Sequence, residues 1–323
     1  MKRPTNVHAA NARSLRAAAA RLRRGELVAF PTETVYGLGA NALDEKAVAK
    51  IFAKKGRPHD NPMIVHVSDL KMLRRVAREV PPRARTLIAR FWPGPLTLLL
   101  SKKSSLPSSV TAGLKTVAVR MPQGLARDLV HLAGVPIAAP SANLSGRPSP
   151  TTAAHVAEDF PDVYVLDGGP TAHGLESTVV SLEPFPAVLR QGALSEEILR
   201  KLIPDLVATA ARARAGGGGA RRGQRAAAPS PTVSPGTKYK HYAPTRPLIL
   251  FLRKSSLLSY SKTHPKALVL SLGSSPEEIA KNLFAALRTR RRGTELLVLA
   301  IPRRGIGRAV MDRLTRAATR IVP

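Results

Sequence analysis

Six short stretches of the chain carry residue types that could do chemistry on a charged ligand. "FPTETVYGLGANAL" sets Thr32, Glu33 and Thr34 at the end of an apolar strand, where Gly37 and Gly39 allow close backbone approach. "KKGRPHDNP" supplies Lys54, Lys55 and Arg57 beside Asn61, with His66 shortly after. Arginine offers a planar fork matched to phosphate or carboxylate, and lysine a mobile point charge. "TVAVRMP" ends one apolar strand on Arg120, and "VLRQGAL" ends another on Arg190. "APSANLSGRPSPTTAAHV" carries Ser141, Asn143, Ser145 and Ser149 around a glycine and opens a helix at Thr151 or Thr152. Hydroxyls and backbone N–H groups so arranged can bind phosphate. "GGPTAHGLESTVVSL" places Ser177 and Thr178 where a strand begins. The first two stretches also have plainer readings, as a turn with helix-capping residues and as a solvated basic turn.

The absences narrow the chemistry. The sequence has no cysteine and contains neither G-x-x-x-x-G-K-[ST], H-E-x-x-H nor G-x-S-x-G. A thiolate nucleophile, a P-loop, a zincin helix and a serine-hydrolase elbow are therefore excluded. What remains is basic residues and hydroxyls spread over several strand ends. That inventory suits a nucleophile that is already anionic, for which alignment and neutralisation of phosphate charge matter more than a general base. The residues by themselves reach a nucleotide or RNA ligand, with phosphoryl or nucleotidyl transfer as the reaction class.

To act together, these residues must be carried by common scaffolding. Residues 1–206 mix helical signals such as "AVAKIFAKK" with strand signals in "PMIVHV", "LTLLL", "TVAVRM", "VYVLD" and "STVVSL". The irregular interleaving predicts a mixed α/β sheet. The first 25 residues lack acids, as a mitochondrial transit peptide would, but Leu15, Ala18, Ala19 and Leu22 share one helical face and predict a structural helix. Residues 207–231 are Ala, Gly and Arg without apolar periodicity, which predicts a flexible tether within a linker spanning 207–245. From 246 to 323, "PLILFL" leads through a Lys/Ser-rich connection to "ALVLSL", then come "SPEEIAKNLFAALRTR" as a helix, "ELLVLAI" as a strand and a closing amphipathic helix, "GRAVMDRLTRAATRIV". This alternation predicts a small Rossmann-like open parallel sheet. The formal charge of +30 favours a polyanionic partner, nucleotide or RNA, although a basic solubilising surface has the same composition. No apolar run approaches the roughly 20 residues of a membrane span, so a cytoplasmic protein is expected.

One block resists explanation as linker: "SPGTKYKHYAP", residues 234–244, follows the tether with two prolines, two tyrosines and a histidine. Together with "PTETVYGLGANA", "KKGRPHDNPMIVHV", "FWPGPLTLLL", "PSANLSGRPSPTTAAHV", "GLESTVVSL" and "LRQGA", it resembles the YrdC-type threonylcarbamoyl-AMP synthase family, in its two-domain branch. The "GTK" of the block departs from the commoner "GMK", and Ser181 stands where aspartate is frequent. The resemblance implies a YrdC-like catalytic domain that makes threonylcarbamoyl-AMP from L-threonine, bicarbonate or CO2, and ATP, releasing pyrophosphate. The product would feed threonylcarbamoyl modification of tRNA by other proteins.

It further implies that Lys55, Arg57 and Asn61 contact the triphosphate, with Lys55 and Arg57 catalytic, and that Thr116, Ser141, Asn143, Ser149 and Arg190 complete the nucleotide site. Thr32, His66, Arg120 and Ser177 would hold threonine, with Arg120 on its carboxylate. Mg2+ would accompany ATP, held mainly by phosphates and water. The 234–244 block would be a lid, with Tyr239, His241 and Tyr242 over the nucleotide; a stiff spacer is the plainer alternative. A non-enzymatic RNA-binding protein with a YrdC-like basic surface is the rival from another class.

Overall fold

The computed structural model, which describes residues 5–207 and 241–323, places the apolar runs in two sheets. The stretch read as a tether, beyond Val207, and the front of the 234–244 block, Tyr239 included, lie outside the described residues. The first sheet is built from β1 (Val7–Ala9), β2 (Val28–Pro31), β3 (Tyr36–Asn41), β4 (Ile64–His66), β5 (Leu96–Ser101), β6 (Thr116–Arg120), β7 (Ile137–Ala138), β8 (Tyr164–Asp167), β9 (Thr178–Ser181) and β10 (Ala187–Arg190). Around it lie α1 (Ala12–Arg23), α2 (Glu45–Lys55), α3 (Leu70–Val76), α4 (Pro82–Phe91), α5 (Ser108–Thr111), α6 (Leu125–Ala133), α7 (Ala153–Asp159) and α8 (Glu196–Arg200). The strand order is β1-β8-β2-β3-β7-β4-β6-β5-β9-β10, with parallel and antiparallel pairs mixed as expected.

The acid-free N-terminal segment forms α1. Asn11 accepts from the Ser14 N–H at 2.9 Å while Ser14 Oγ accepts from the Asn11 N–H at 3.0 Å, a reciprocal cap. Ala18, Ala19 and Leu22 are buried on the core side, and Leu15 packs beside them.

Pairing directions explain how distant residues meet. β4 runs parallel to β6 with His66 opposite Arg120, and β6 runs antiparallel to β5. β5 runs parallel to β9 with Leu96 opposite Thr178, and β10 returns antiparallel to β9, bringing Arg190 opposite Val179. The ends of β4, β6 and β10 and the starts of β5 and β9 therefore share one edge. His66, Arg120, Ser177 and Arg190 all belong to that edge.

The second sheet contains β11 (Leu248–Phe251), β12 (Leu268–Val269), β13 (Leu296–Leu299) and β14 (Arg320–Val322), with α9 (Lys254–Thr263), α10 (Pro276–Leu287) and α11 (Gly307–Ala317) between them. Its order, β12-β13-β11-β14, is parallel throughout, as the alternation predicts. Two local expectations are corrected. The closing helix stops at Ala317; Ala318 is extended, and Arg320–Val322 pairs with β11 as a strand, because β-branched Ile321 and Val322 can close the sheet edge. The Lys/Ser-rich stretch read as a connection is α9, which buries only Leu257 and so leaves almost no apolar period to read.

The two sheets share a core. Val35 and Leu175 of the first unit pack with Tyr242, Leu250, Leu283, Phe284 and Val310 of the second. At Gly174, with φ +68°, an added Cβ would lie 2.4 Å from the Lys281 carbonyl oxygen of α10. Gly174→Ala should lower stability by more than about 1 kcal/mol, since alanine is strained at positive φ even before this clash. A urea midpoint that does not fall would contradict this account of the contact.

Candidate active site

The shared edge opens into a cleft lined by Thr32, Arg57, His66, Arg120, Ser141, Asn143, Ser149, Ser177, Arg190 and His241, enclosing about 690 Å³ including its solvent side. Ten of the residues singled out in the sequence thus meet in one place. Lys55 and Asn61 are buried beside them, while Thr116 is not brought in. Thr116 begins β6 and Arg120 ends it, so the two are roughly 13 Å apart along the strand. Thr116 lines a separate small cavity with Ser101 and Glu183.

The turn joining β2 to β3 builds one wall. Thr32 Oγ1 donates to the Val35 carbonyl at 2.7 Å, and lies 2.7 Å from Thr34 Oγ1. Arg120 crosses the base of this wall, donating to Thr34 Oγ1 at 2.8 Å and to the Gly94 carbonyl at 3.1 Å, and pairs with Glu33 at 2.6 Å. Both members of that ion pair have almost no exposed side chain, and Glu33 Oε1 has no hydrogen-bond partner. His66 adds a buried imidazole, edge-on to Phe30, with Nδ1 unpartnered.

The opposite wall is cationic. α2 ends at Gly56 in the left-handed region, which turns the chain so that Arg57 enters the cleft. Arg57 donates to the carbonyls of Asn61 at 3.2 Å and Pro62 at 2.8 Å. Lys55 sits behind the wall, its Nζ donating to the carbonyls of Ser141, at 2.6 Å, and Asn143. Burial, then the charges of Arg57 and Arg288, push the Lys55 ammonium pKa well down, with Asp159 opposing. Arg190 is buried against the Ser177 carbonyl, at 3.0 and 3.2 Å, and Ser177 Oγ at 3.1 Å. The Asn61 amide and Asn143 Oδ1 are buried with no hydrogen-bond partner. A native buried polar group without a partner calls for a ligand, a water or an ion.

Glu176 and Arg147 escaped the sequence assignments, and Glu33 was named there without a role. Glu33 and Glu176 are the carboxylates that hold Arg120 and line the cleft, respectively. Both are visible as acids inside otherwise apolar or hydroxyl-rich motifs, which is the signal that could have found them. Arg147 also lines the cleft, and Tyr242, read as lid, proves to be 4 % exposed and stacked on Phe284. Burial, then Glu176, raises the Tyr242 phenol to about 12, while burial, then Arg57, lowers His241 to about 4. Among the described residues, no group of His, Cys, Asp or Glu is arranged to hold a metal, and no helix is long and apolar enough to cross a membrane.

A family model described as "Telomere recombination" (Sua5, YciO and YrdC) matches residues 20–192, and one described as "Threonylcarbamoyl-AMP synthase, C-terminal domain" matches residues 194–319. The chain belongs to the Sua5/YciO/YrdC family. Within that family it is similar to the threonylcarbamoyl-AMP synthase of Pyrococcus abyssi, 44% identical over 94% of each chain. It is also similar to that of Bacillus subtilis, 42% identical over 93% of this chain and 92% of the relative. The crystal structure of P. abyssi Sua5 complexed with L-threonine matches with a TM-score of 0.86 at 42% identity, covering 98% of each chain.

Acid should unlock this site. Burial and Arg120 depress His66 to about 3, so the folded protein refuses a proton that the unfolded chain accepts near pH 6.5. The unfolded state then holds more protons between these values, and stability falls as pH drops from about 6.5 towards 3. His66→Gln should lose part of that slope in chemical denaturation followed across pH; parallel profiles would contradict a neutral buried His66.

Proposed function

We propose that the chain synthesises threonylcarbamoyl-AMP from L-threonine, bicarbonate or CO2, and MgATP, releasing pyrophosphate. The observation that carries this reading is a single cleft with Arg57, Arg120 and Arg190 converging among hydroxyls, in a chain similar to threonylcarbamoyl-AMP synthases over nearly its whole length. The threonine amine and CO2 form a carbamate with loss of a proton. A carbamate oxygen attacks the α-phosphorus of ATP, the bond from that phosphorus to the β-phosphate bridging oxygen breaks, and pyrophosphate leaves. The nucleophile is already an anion, so the protein's task is alignment and neutralisation.

Arg120, held by Glu33 and Thr34, is assigned the threonine carboxylate, with Thr32, His66 and Ser177 completing that half. Arg57 and Lys55 are assigned the triphosphate, together with Asn61, Ser141, Asn143, Ser149 and Arg190. The two cleft-side carboxylates, Glu33 and Glu176, are each taken by an arginine. Mg2+ therefore fits this site as part of the MgATP substrate, carried by phosphate oxygens and water. His241 and Tyr242 are assigned the cover over the nucleotide, which keeps water from a labile mixed anhydride. Such a product would serve cytoplasmic tRNA modification.

Pyrophosphate release should require both threonine and bicarbonate. Arg120→Ala should raise the KM for threonine roughly thirtyfold, the equivalent of about 2 kcal/mol for truncating one partner of a buried charge pair. Arg57→Ala should collapse turnover. Release that does not need threonine would assign another acceptor, and absence of release with tight, salt-sensitive RNA binding would favour the RNA-binding reading. MgATP binding should also draw a proton onto Lys55 at alkaline pH, because phosphate charge opposes the burial that lowers its pKa. Calorimetry in buffers of different ionisation enthalpy would register that uptake, and Lys55→Met should abolish it.

A further inference from the structure

Arg313 is the largest fully buried side chain among the described residues, and it belongs to the second sheet's unit rather than to the one that forms the cleft. It lies on α11 between Val310 and Leu314, on the helix's apolar side. Its Nε and Nη2 both donate to Glu176 Oε2, at 3.1 and 3.0 Å, and its Nη1 donates to Asp312 at 2.9 Å. Glu176 stands just ahead of β9 and lines the cleft. Its other oxygen accepts from Ser149 at 2.8 Å, and its backbone carbonyl accepts from the Ala193 N–H at 3.0 Å. The next residue, Ser177, is the one that holds Arg190.

The same guanidinium lies 5.6 Å from the centre of the Tyr242 ring, which stacks at 5.3 Å on Phe284 of α10. Tyr242 has φ +69°, a left-handed backbone that a tyrosine keeps only where its surroundings over-determine it. One side chain of the second unit thus touches both the wall of the cleft and its cover.

We propose that Arg313 is a positioning residue for the nucleotide half of the site. It fixes Glu176, and through it Ser149, and it seats Tyr242 over the opening. The second α/β unit is then part of the adenylyl-transfer machinery. The identity of the ligand rests on the synthase reading above. Threonine's half of the cleft has a separate support, because Arg120 is held by Glu33, Thr34 and Gly94, and Ser177 Oγ lies 2.7 Å from Thr97 Oγ1. Loss of Arg313 should therefore weaken nucleotide binding and spare threonine. A simple staple between the units would weaken both together.

The test uses the full chain with Arg313→Met, Arg313→Lys and the double variant Glu176→Gln/Arg313→Met, which removes both charges of the pair together. Calorimetry with a non-hydrolysable ATP analogue, and separately with L-threonine, reads each half without turnover. Arg313→Met should weaken analogue binding by about tenfold or more. Threonine affinity should stay within about twofold, as for independent sites. Arg313→Lys should recover part of the loss. The double variant should recover stability but not analogue affinity, and it carries the test if Arg313→Met does not fold. Arg308→Ala, which removes the exposed pair with Glu197 across the same contact, should change neither affinity. Equal loss of both ligands, or an unchanged analogue affinity, overturns the proposal. A parent protein that binds the analogue but shows no threonine-dependent pyrophosphate release would overturn the synthase reading while leaving Arg313's role to be read from binding.

Discussion

The ion pair between Glu176 and Arg313 ties the second unit to both the wall of the cleft and its cover. Taking both charges out of water is costly, and only close geometry with the remaining donors and acceptors satisfied offsets it. Here that condition is met: Ser149, Asp312 and the Tyr242 ring complete the set. A hydrophobic pair of similar volume could hold two units together as well or better. What apolar packing could not do is fix one carboxylate at a defined angle to Ser149 and the Arg190 support. Burial drives the Glu176 pKa up, yet the net shift is downward because Arg313 and Arg190 outweigh it. The carboxylate is thereby kept charged inside the protein.

The cleft follows the same logic on a larger scale. Its guanidiniums are restrained before any ligand arrives: Arg57 by the Asn61 and Pro62 carbonyls, Arg190 by Ser177, and Arg120 by Glu33, Thr34 and Gly94. Fixed cations of this kind stabilise developing negative charge without reorganising at the moment of reaction. The unpartnered atoms of Asn61, Asn143 and His66 complete the picture of a surface shaped for something polar.

Much of this was legible beforehand. The apolar runs in residues 1–206 became strands, and the motif residues converged because pairing directions put the ends of β4, β6 and β10 on one edge. Pairing direction is a long-range property, which is why Thr116 could be grouped with Arg120 although the strand holds them at opposite ends. Helix α9 was invisible because one buried leucine makes no period, and β14 was hidden because its residues continue the charge and apolar pattern of α11. Arg313 is the instructive case. An arginine flanked on its helix face by Val310, Leu314 and Ala317 is an anomaly in an amphipathic pattern, but its partner lies 137 residues away. Periodicity flags the oddity and cannot supply the partner.

That separation has a consequence in time. The chain is made from its N-terminus, so Glu176 is synthesised 137 residues before Arg313. At about 5–20 residues per second, this is a delay of roughly 7 to 27 s. During it, the cleft-forming sheet can fold around a carboxylate that has not met its counter-charge, and the surface later covered by α10 and α11 faces solvent. The nascent protein thus gains its complete cleft only once α11 has been made and docks.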